Sequence, residues 1–350
     1  MGKKVLMKGN EALAEAAIRS GCRYYYGYPI TPQTELAEYM AKNLPKAGGT
    51  FLQAESEIAA ISMVYGTSAA GKRVMTSSSS PGISLKQEGI SYLAGSNLPA
   101  VIVNVQRGGP GLGGIQPSQS DYWQATKGGG HGDYHLIVLA PSTVQEMADL
   151  TFLAFDLADK YRVQTMILAD GTVGQMMEPV QLPEPKQTEF DKPWALRGKG
   201  DNKKSKFITS LSLSPEELEQ WNFNNFAKYA QIESTEQRAE QFMMEDAEIC
   251  IVAFGISARV SRSAILQARA KGIKVGMIRP ITLYPFPKDV IRKAAGKVQR
   301  FISVELNMGQ MIDDVRLAIE CSRPVDLCHR TGGVIVTPEE VLAAIEGGQK

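Results

Sequence analysis

Residues 100–106 read Ala100-Val101-Ile102-Val103-Asn104-Val105-Gln106, a run with none of the polar alternation that a half-exposed strand would show. Ile137-Val138-Leu139 has the same character. Such runs belong to parallel strands covered on both faces. Outward from this run, strand patterns fall at 23–28, 50–53, 73–77, 136–140 and 164–169, with helical patterns such as 57–70 and 142–161 between them. The helix at 142–161 follows Pro141 and opens on Ser142-Thr143-Val144-Gln145, which reads as a capping box. Strand and helix in alternation predict a doubly wound α/β domain over residues 1–184.

From Pro179 the texture changes to proline clusters, the basic and glycine-containing run 197–206, and a polar helix opening at Pro215. Residues 185–245 read as a connector with a charged helix. Ile249-Cys250-Ile251-Val252-Ala253-Phe254-Gly255 begins a second, smaller α/β domain over 246–350, with strands at 275–278 and 301–304. Its last helix opens on Thr337-Pro338-Glu339-Glu340, a capping box with proline at the first position.

Composition excludes several classes. Among 350 residues, 38 basic side chains face 37 acidic ones, so no electrostatic case exists for nucleic acid or membrane as partner. No apolar run reaches spanning length, and Met1-Gly2-Lys3-Lys4 is expected to lead into a polar amphipathic helix rather than a signal-peptide core. Four cysteines, Cys22, Cys250, Cys321 and Cys328, lack CxxC spacing. That pattern fits a reducing cytoplasm, and it argues against disulfides and a resident iron–sulfur cluster. Cys328-His329 has no further ligand pair nearby and reads as structural.

Several motifs sit where strands end. Gly27-Tyr28-Pro29-Ile30-Thr31-Pro32 places Thr31 as a hydroxyl N-cap with Pro32 at the first helical position. A helix start of that kind receives anionic or carbonyl ligands, although an ordinary capped turn accounts for the same residues. Glu57 begins a helical pattern after a strand, where an acid also simply complements the helix dipole. Arg107 emerges at the carboxyl end of the 100–106 strand, where open α/β sheets bind ligands, and its guanidinium can clamp a carboxylate. A surface ion pair is the commoner fate of arginine. Gly109-Pro110-Gly111-Leu112-Gly113-Gly114 satisfies GxGxxG. However, Pro110 and Pro117 and the strand's place in the chain disfavour a dinucleotide fingerprint and favour a tight ligand loop. Thr76 to Ser80, before Pro81-Gly82, is a hydroxyl-rich junction. Lys127 to Asp133 is a glycine-rich loop with one imidazole, His131.

Three segments, Gly27 to Pro32, Gln53-Ala54-Glu55-Ser56-Glu57 and Val101 to Asp121, resemble the alpha-type chain of the 2-oxoacid:ferredoxin oxidoreductases, and most of all its branched-chain members. The likeness runs from Lys4-Val5-Leu6-Met7-Lys8-Gly9-Asn10 to Thr331-Gly332-Gly333 and is weakest over 185–245. It implies a transketolase-like pyrimidine-binding domain followed by a transketolase C-terminal-like domain. It also implies that Glu57 hydrogen-bonds the aminopyrimidine ring of thiamine diphosphate, a role that needs a carboxyl group in a partly apolar site. Glu55 competes for this role, and the spacing to Ala69-Ala70-Gly71 in the family pattern selects Glu57. By the same resemblance Arg107 and Thr31, with Tyr28 and Ile30, bind the 2-oxo acid, while Ser79 and Ser80 lie near the pyrimidine.

The Gly-Asp-Gly motif that holds the diphosphate through a metal is missing. Mg2+ and the iron–sulfur clusters are therefore expected on partner chains: a thiamine-binding beta-type subunit, a gamma-type subunit and a ferredoxin-like delta-type subunit. Coenzyme A would be the cosubstrate. Ile30, Leu112 and Ile115 suit an aliphatic side chain such as that of 3-methyl-2-oxobutanoate. Lys127 or His131 could meet the distal carboxylate of 2-oxoglutarate, the alternative substrate. A non-catalytic assembly chain is the remaining alternative. Glu305 to Gln310 is a candidate subunit contact.

Overall fold

Apolar side chains on both faces of the central strands force helices onto each side of the sheet, and that requirement organises the first half of the chain. The computed structural model describes residues 4–185, 190–198 and 206–347. Most of the basic run at 197–206 lies outside the described residues. In chain order the strands are β1 (Val5–Lys8), β2 (Tyr24–Gly27), β3 (Thr50–Gln53), β4 (Val74–Ser78), β5 (Ala100–Gln106), β6 (Ile137–Leu139) and β7 (Gln164–Asp170). They continue with β8 (Met177–Val180), β9 (Ala239–Phe242), β10 (Ile249–Ala253), β11 (Val275–Pro280), β12 (Thr282–Tyr284), β13 (Arg300–Glu305) and β14 (Val325–His329).

The larger sheet has seven strands in the order β12-β6-β7-β5-β4-β2-β3. Its pairs from β2 to β7 are parallel, and β12 adds antiparallel to β6. Every residue of β4, β5 and β7 is buried. A second sheet of five strands runs β14-β13-β10-β11-β9, parallel except for β9. β1 and β8 form a separate antiparallel pair. The architecture is the expected doubly wound α/β sheet with a second α/β unit. β9 falls within the 185–245 segment yet extends the second sheet, and β12 falls within 246–350 yet completes the first.

Three local expectations change. The chain does not run from its amino-terminal lysines straight into a helix: β1 intervenes before the helix Gly9–Arg19. Thr31 is not an N-cap. The Gln33 N–H donates to Ile30 O at 3.2 Å, closing a turn around Thr31 and Pro32, and the helix begins later, at Thr34–Asn43. A residue preceding proline is pushed away from helical geometry, so Thr31 cannot lead directly into a turn of helix. The helix Val144–Tyr161 is capped by Thr143 rather than Ser142: the Thr143 hydroxyl accepts from Glu146 N at 3.1 Å, while Ser142 N and Oγ donate to the Glu146 carboxylate. The Glu146 carboxylate is taken by Ser142 and does not reach back to Thr143 N, so only half of a capping box is made. The Thr337–Glu340 box is formed as expected, and Ser214 caps Pro215–Thr235.

A polar seam joins the two sheets. Gln119 Nε2 donates to Phe254 O at 2.9 Å, and its Oε1 accepts from Ser257 Oγ and Leu306 N. Buried Asp170, at the end of β7, accepts from Val173 N and Ile256 N at 3.0 and 2.8 Å, tying β7 to the helix Gly255–Ala270. Of the stretch Glu305 to Gln310, expected from sequence at a subunit contact, Asn307 and Gln310 serve this seam within the chain. Glu305 caps Met311–Ala318, and Asn307 and Gln310 donate to Gln119 O and Ser120 O. Gly255 has φ +54°, and a Cβ there would lie 2.5 Å from Asp170 Oδ2. Gly255→Ala should therefore destabilise the chain by about 2 kcal/mol, read as a fall in the urea midpoint at unchanged m-value.

Candidate functional site

β2 has β3 on one side and β4 on the other, so the strand order reverses there. Open parallel sheets place their ligand crevice outside the carboxyl ends of the strands at such a point. Two segments enter this crevice: residues 28–33 after β2, and Ser79 and Ser80 after β4.

Glu57 occupies the first position of the helix Glu57–Ala69, whose N-cap Ser56 accepts from Ala59 N at 3.2 Å. Its side chain is buried, whereas Glu55 is exposed. Gly82, in the first turn of the helix Ser80–Gly95, is what allows the close approach: a Cβ there would sit 2.6 Å from Glu57 Oε1 and 2.1 Å from Ser78 Oγ. The Glu57 carboxylate and the Ser78 hydroxyl thus meet over a bare backbone.

The hydroxyls of the 76–80 run have different fates. Ser77 Oγ is tied to Tyr25 Oη at 2.6 Å and to Gln33 Oε1 at 2.5 Å. Ser80 Oγ donates to Asp121 Oδ2 at 2.6 Å and accepts from Arg107 N at 3.0 Å. The Thr76, Ser78 and Ser79 hydroxyls are buried and have no partner among the described residues. Buried hydroxyls are ordinarily bonded, so the Ser78 group beside Glu57 fits a polar ligand from outside the described residues. Ser80, expected at the cofactor, already has its hydroxyl engaged.

Arg107 is buried at the end of β5. Nη1 donates to Thr31 O at 3.0 Å and Nη2 to Leu112 O at 3.1 Å, while Nε is buried without a partner. The glycine-rich segment closes on itself instead of opening a helix. Arg107 bridges to Pro117, Gly108 N donates to Gln116 O, and Gly114 N donates to Gly108 O. Leu112 and Ile115 are exposed on this loop, Tyr28 is exposed beside it, and Ile30 and Thr31 are half-buried. Lys127, by contrast, is paired with Asp314 at the seam, and His131 is exposed on its own loop.

Asn104 and Asp121 were not singled out from sequence. Asn104 Nδ2 donates to Asp121 Oδ2 at 2.8 Å, and its Oδ1 accepts from Ser80 N at 3.0 Å. Burial pushes the Asp121 carboxyl above the usual carboxylate range, with the Ser80 and Asn104 hydrogen bonds opposing. A polar side chain inside a doubly covered strand requires a partner, and Asn104 in the 100–106 run was the available signal. Lys86 was also passed over. It is fully buried, and its Nζ donates to the Glu57 carbonyl at 3.4 Å.

The fold, a doubly wound parallel sheet backed by a second α/β unit, is transketolase-like. A split-gene transketolase shares that fold with a TM-score of 0.61 at 14% identity, covering 98% of each chain. Residues 15–247 match the thiamine diphosphate-binding domain of pyruvate flavodoxin/ferredoxin oxidoreductases, and 247–341 match pyruvate:ferredoxin oxidoreductase core domain II. The ketoisovalerate oxidoreductase subunit VorB of Methanothermobacter thermautotrophicus is 54% identical over 97% of this chain and 96% of its own length. The 2-oxoglutarate synthase subunit KorA of Methanocaldococcus jannaschii is 38% identical over 99% of this chain and all of its own. The 2-oxoglutarate:ferredoxin oxidoreductase of Magnetococcus marinus, solved with 2-oxoglutarate, coenzyme A and succinyl-CoA, gives a TM-score of 0.88 at 29% identity. That match covers 99% of this chain, which spans 65% of the longer one. The chain belongs to the 2-oxoacid:ferredoxin oxidoreductase family.

The Ser80–Asn104–Asp121 network sets where the backbone leaves β5 at Arg107. Removing the carboxylate takes the acceptor from the buried Asn104 amide and leaves the Ser80 hydroxyl donating only to Arg107 O at 3.3 Å. Asp121→Ala should cost about 1–3 kcal/mol, measured as a lowered thermal midpoint, whereas Asp121→Asn should recover part of that loss.

Proposed function

We propose that this chain is the alpha-type subunit of a multi-chain enzyme that oxidatively decarboxylates a branched-chain 2-oxo acid to its acyl-coenzyme A, with release of carbon dioxide and reduction of ferredoxin. It would work in the cytoplasm with a thiamine-binding beta-type subunit, a gamma-type subunit and a ferredoxin-like delta-type subunit. Those partners would carry Mg2+ and the iron–sulfur clusters. In this reading residues 1–184 are the pyrimidine-binding domain, 185–245 a connector and 246–350 the transketolase C-terminal-like domain. The observation that carries it is the buried Glu57 carboxyl beside the buried Ser78 hydroxyl, which has no partner among the described residues, at the sheet's switch point.

When bound, thiamine diphosphate supplies the carbon nucleophile and electron sink that decarboxylation of a 2-oxo acid requires. Glu57 hydrogen-bonds the pyrimidine ring nitrogen and shares its proton, and burial keeps water from competing for that bond. Ser78 and Ser79 offer hydroxyls to the same ring. Arg107 has Nε without a partner among the described residues and exchanges one or both backbone carbonyls for the substrate carboxylate, because two charged oxygens match the guanidinium fork bidentately where each carbonyl offers one neutral oxygen. Thr31, Tyr28 and Ile30 line the same mouth. Tyr28, Ile58, Leu85 and Leu112 expose large apolar side chains on the segments that build the crevice, as expected of a surface that a partner chain closes.

A branched substrate is favoured over 2-oxoglutarate because Lys127, a cation suggested for the second carboxylate, is committed to Asp314, while the loop beyond Arg107 offers Leu112 and Ile115. The 54% identity to a ketoisovalerate oxidoreductase subunit, against 38% to a 2-oxoglutarate synthase subunit, points the same way.

The test is an oxygen-free assay of the co-expressed, cluster-loaded complex, following coenzyme A-dependent reduction of a low-potential dye. The complex should turn over 3-methyl-2-oxobutanoate in preference to 2-oxoglutarate and pyruvate, and the isolated chain should be inactive. In that complex Glu57→Gln should lower kcat by at least about a thousandfold while assembly, followed by size-exclusion chromatography, is unchanged. Wild-type turnover by Glu57→Gln would remove Glu57 from the site. Arg107→Ala should lower kcat/KM by roughly a hundredfold, mainly through KM. An unaltered dependence on 2-oxo acid concentration would show that the carboxylate binds elsewhere.

A further inference from the structure

The turn after β2 carries Tyr28, Ile30 and Thr31, the residues assigned above to the 2-oxo acid, and it has no helix or strand of its own. Three of its carbonyls are held by neutral groups of the chain. Gln33 donates from its backbone N–H to Ile30 O at 3.2 Å and from its side-chain Nε2 to Tyr28 O at 3.3 Å, while its Oε1 accepts from Ser77 Oγ on β4. Asn10 Nδ2 donates to Pro32 O at 2.9 Å. Thr31 O is the carbonyl that Arg107 takes.

Asn10 reaches the turn from the helix Gly9–Arg19, 22 residues earlier, and is fully buried. Its second N–H donates to Glu35 Oε2 at 2.9 Å, and Glu35 is paired with Lys8 at 3.0 Å. Both donors of the amide are thus fixed, because the reversed side chain would aim its oxygen at two acceptors. The oxygen itself is buried without a partner among the described residues. A buried amide with one unsatisfied end is costly, and an apolar side chain of the same shape would avoid that cost. Stability is therefore a poor account of an asparagine here, whereas a need for its donors is a sufficient one. The root of the tether is rigid. Gly9 N donates to Met176 O at 3.1 Å, and a Cβ on Gly9 would lie 2.0 Å from Val173 O. The helix start lies directly on the backbone that follows β7, a segment capped by Asp170.

We propose that Asn10 is a positioning residue for the 2-oxo acid: with Gln33 it holds the turn after β2 in place independently of Arg107, so that the guanidinium can leave Thr31 O for the substrate carboxylate without the pocket wall moving. The inference rests on the roles proposed above for Thr31 and Arg107. A wall fixed by neutral amides rooted on β7 and β4 needs no reorganisation at the moment of binding, which is where preorganised positioning favours substrate capture. A turn held by Arg107 alone would be released by the same exchange that binds the substrate. The Asn10 amide, being fully buried, acts through the turn and touches neither substrate nor cofactor.

Hydrogen exchange of the full chain tests the tether without any cofactor, read at the Gln33 amide in fragments spanning 28–36. Asn10→Leu, which keeps the branching of the side chain and removes its donors, should speed that exchange about tenfold, whereas Arg107→Ala should stay within about twofold of wild type. In the assembled complex Asn10→Leu should raise KM for 3-methyl-2-oxobutanoate about tenfold, with kcat within about twofold and thiamine diphosphate affinity unchanged. In Gly174→Ala the new Cβ would lie 2.8 Å from Asn10 Oδ1, so the amide is kept but displaced. That variant should move both readings in the same direction, and it takes over if Asn10→Leu does not assemble. Ser214→Ala, which removes the cap of the helix Pro215–Thr235, should lower the thermal midpoint and move neither reading. Wild-type exchange in Asn10→Leu, or exchange in Arg107→Ala as fast as in Asn10→Leu, would overturn the proposal. So would an unmoved KM in Asn10→Leu beside a raised KM in Arg107→Ala. An unmoved KM in both variants would instead remove the site proposed for the carboxylate, and with it this role for Asn10.

Discussion

The crossovers that leave β2 and β4 run in opposite directions, because β3 lies beyond β2 on one side and β5 beyond β4 on the other. No helix can cover the gap that opens where the two connections part, so backbone N–H groups, side-chain hydroxyls and helix starts gather there without partners. Everything assigned to the candidate site is a consequence. Residues 28–33 turn away after β2, the serine junction turns the other way after β4, and the helix Glu57–Ala69, which packs over both strands, begins between them. The doubly buried central strands keep this crevice rigid. β5 and β7, pinned over seven register pairs, hold the exit point of Arg107 against Asp170 at the adjacent strand end.

Within that frame the 76–80 run divides its hydroxyls between structure and chemistry. Ser77 and Ser80 are used inward, on Tyr25, Gln33 and Asp121, and they fix the strand-to-helix corner. Ser78 and Ser79 are left over. A buried hydroxyl without a partner costs on the order of 1–3 kcal/mol, and the Ser78 hydroxyl, next to a carboxylate and over a glycine, makes a local cost that a bound ring with complementary nitrogens would repay. Gly82 is the permissive element. Any side chain there would strike both Ser78 Oγ and Glu57 Oε1, so the approach of the two helices depends on its missing Cβ.

How much of this could be read from sequence follows from burial. Strands covered on both faces announce themselves, and β5 begins and ends where its run does, at 100–106. Edge strands are less legible, although β3, exposed at the sheet's edge, matches its expected span of 50–53. β1, β8, β9 and β14 are four or five residues long and only partly buried, and β12 has three residues, so neither a run nor an alternation distinguishes them from loop. Thr31 illustrates a different limit. Hydroxyl then proline is a sound capping signal, but the same proline constrains its predecessor, and the turn closed by Gln33 prevailed. At the site, Glu57 and Arg107 abut a helix start and a strand end, but it is the family resemblance that gives each a role there. Lys86 did not stand out, since a lysine inside a helical pattern reads as a solvated position until the opposing helix is seen to cover it.

Arg107 shows why the loop that follows it belongs to the site and is not an accessory. Its two terminal nitrogens hold Thr31 O and Leu112 O, one from each wall of the crevice, so the guanidinium bridges the turn after β2 and the glycine loop after β5. Those carbonyls are neutral acceptors, whereas a carboxylate offers two charged oxygens in the plane that the guanidinium fork already presents. An arriving 2-oxo acid would take bonds from the carbonyls and thereby loosen Leu112 from Arg107 while leaving Gly108 and Gly114 fixed to each other. The exposed Leu112 side chain would then be free to close over an aliphatic substituent. Recognition of the carboxylate and recognition of the apolar tail would in that case be a single event, coupled through one arginine.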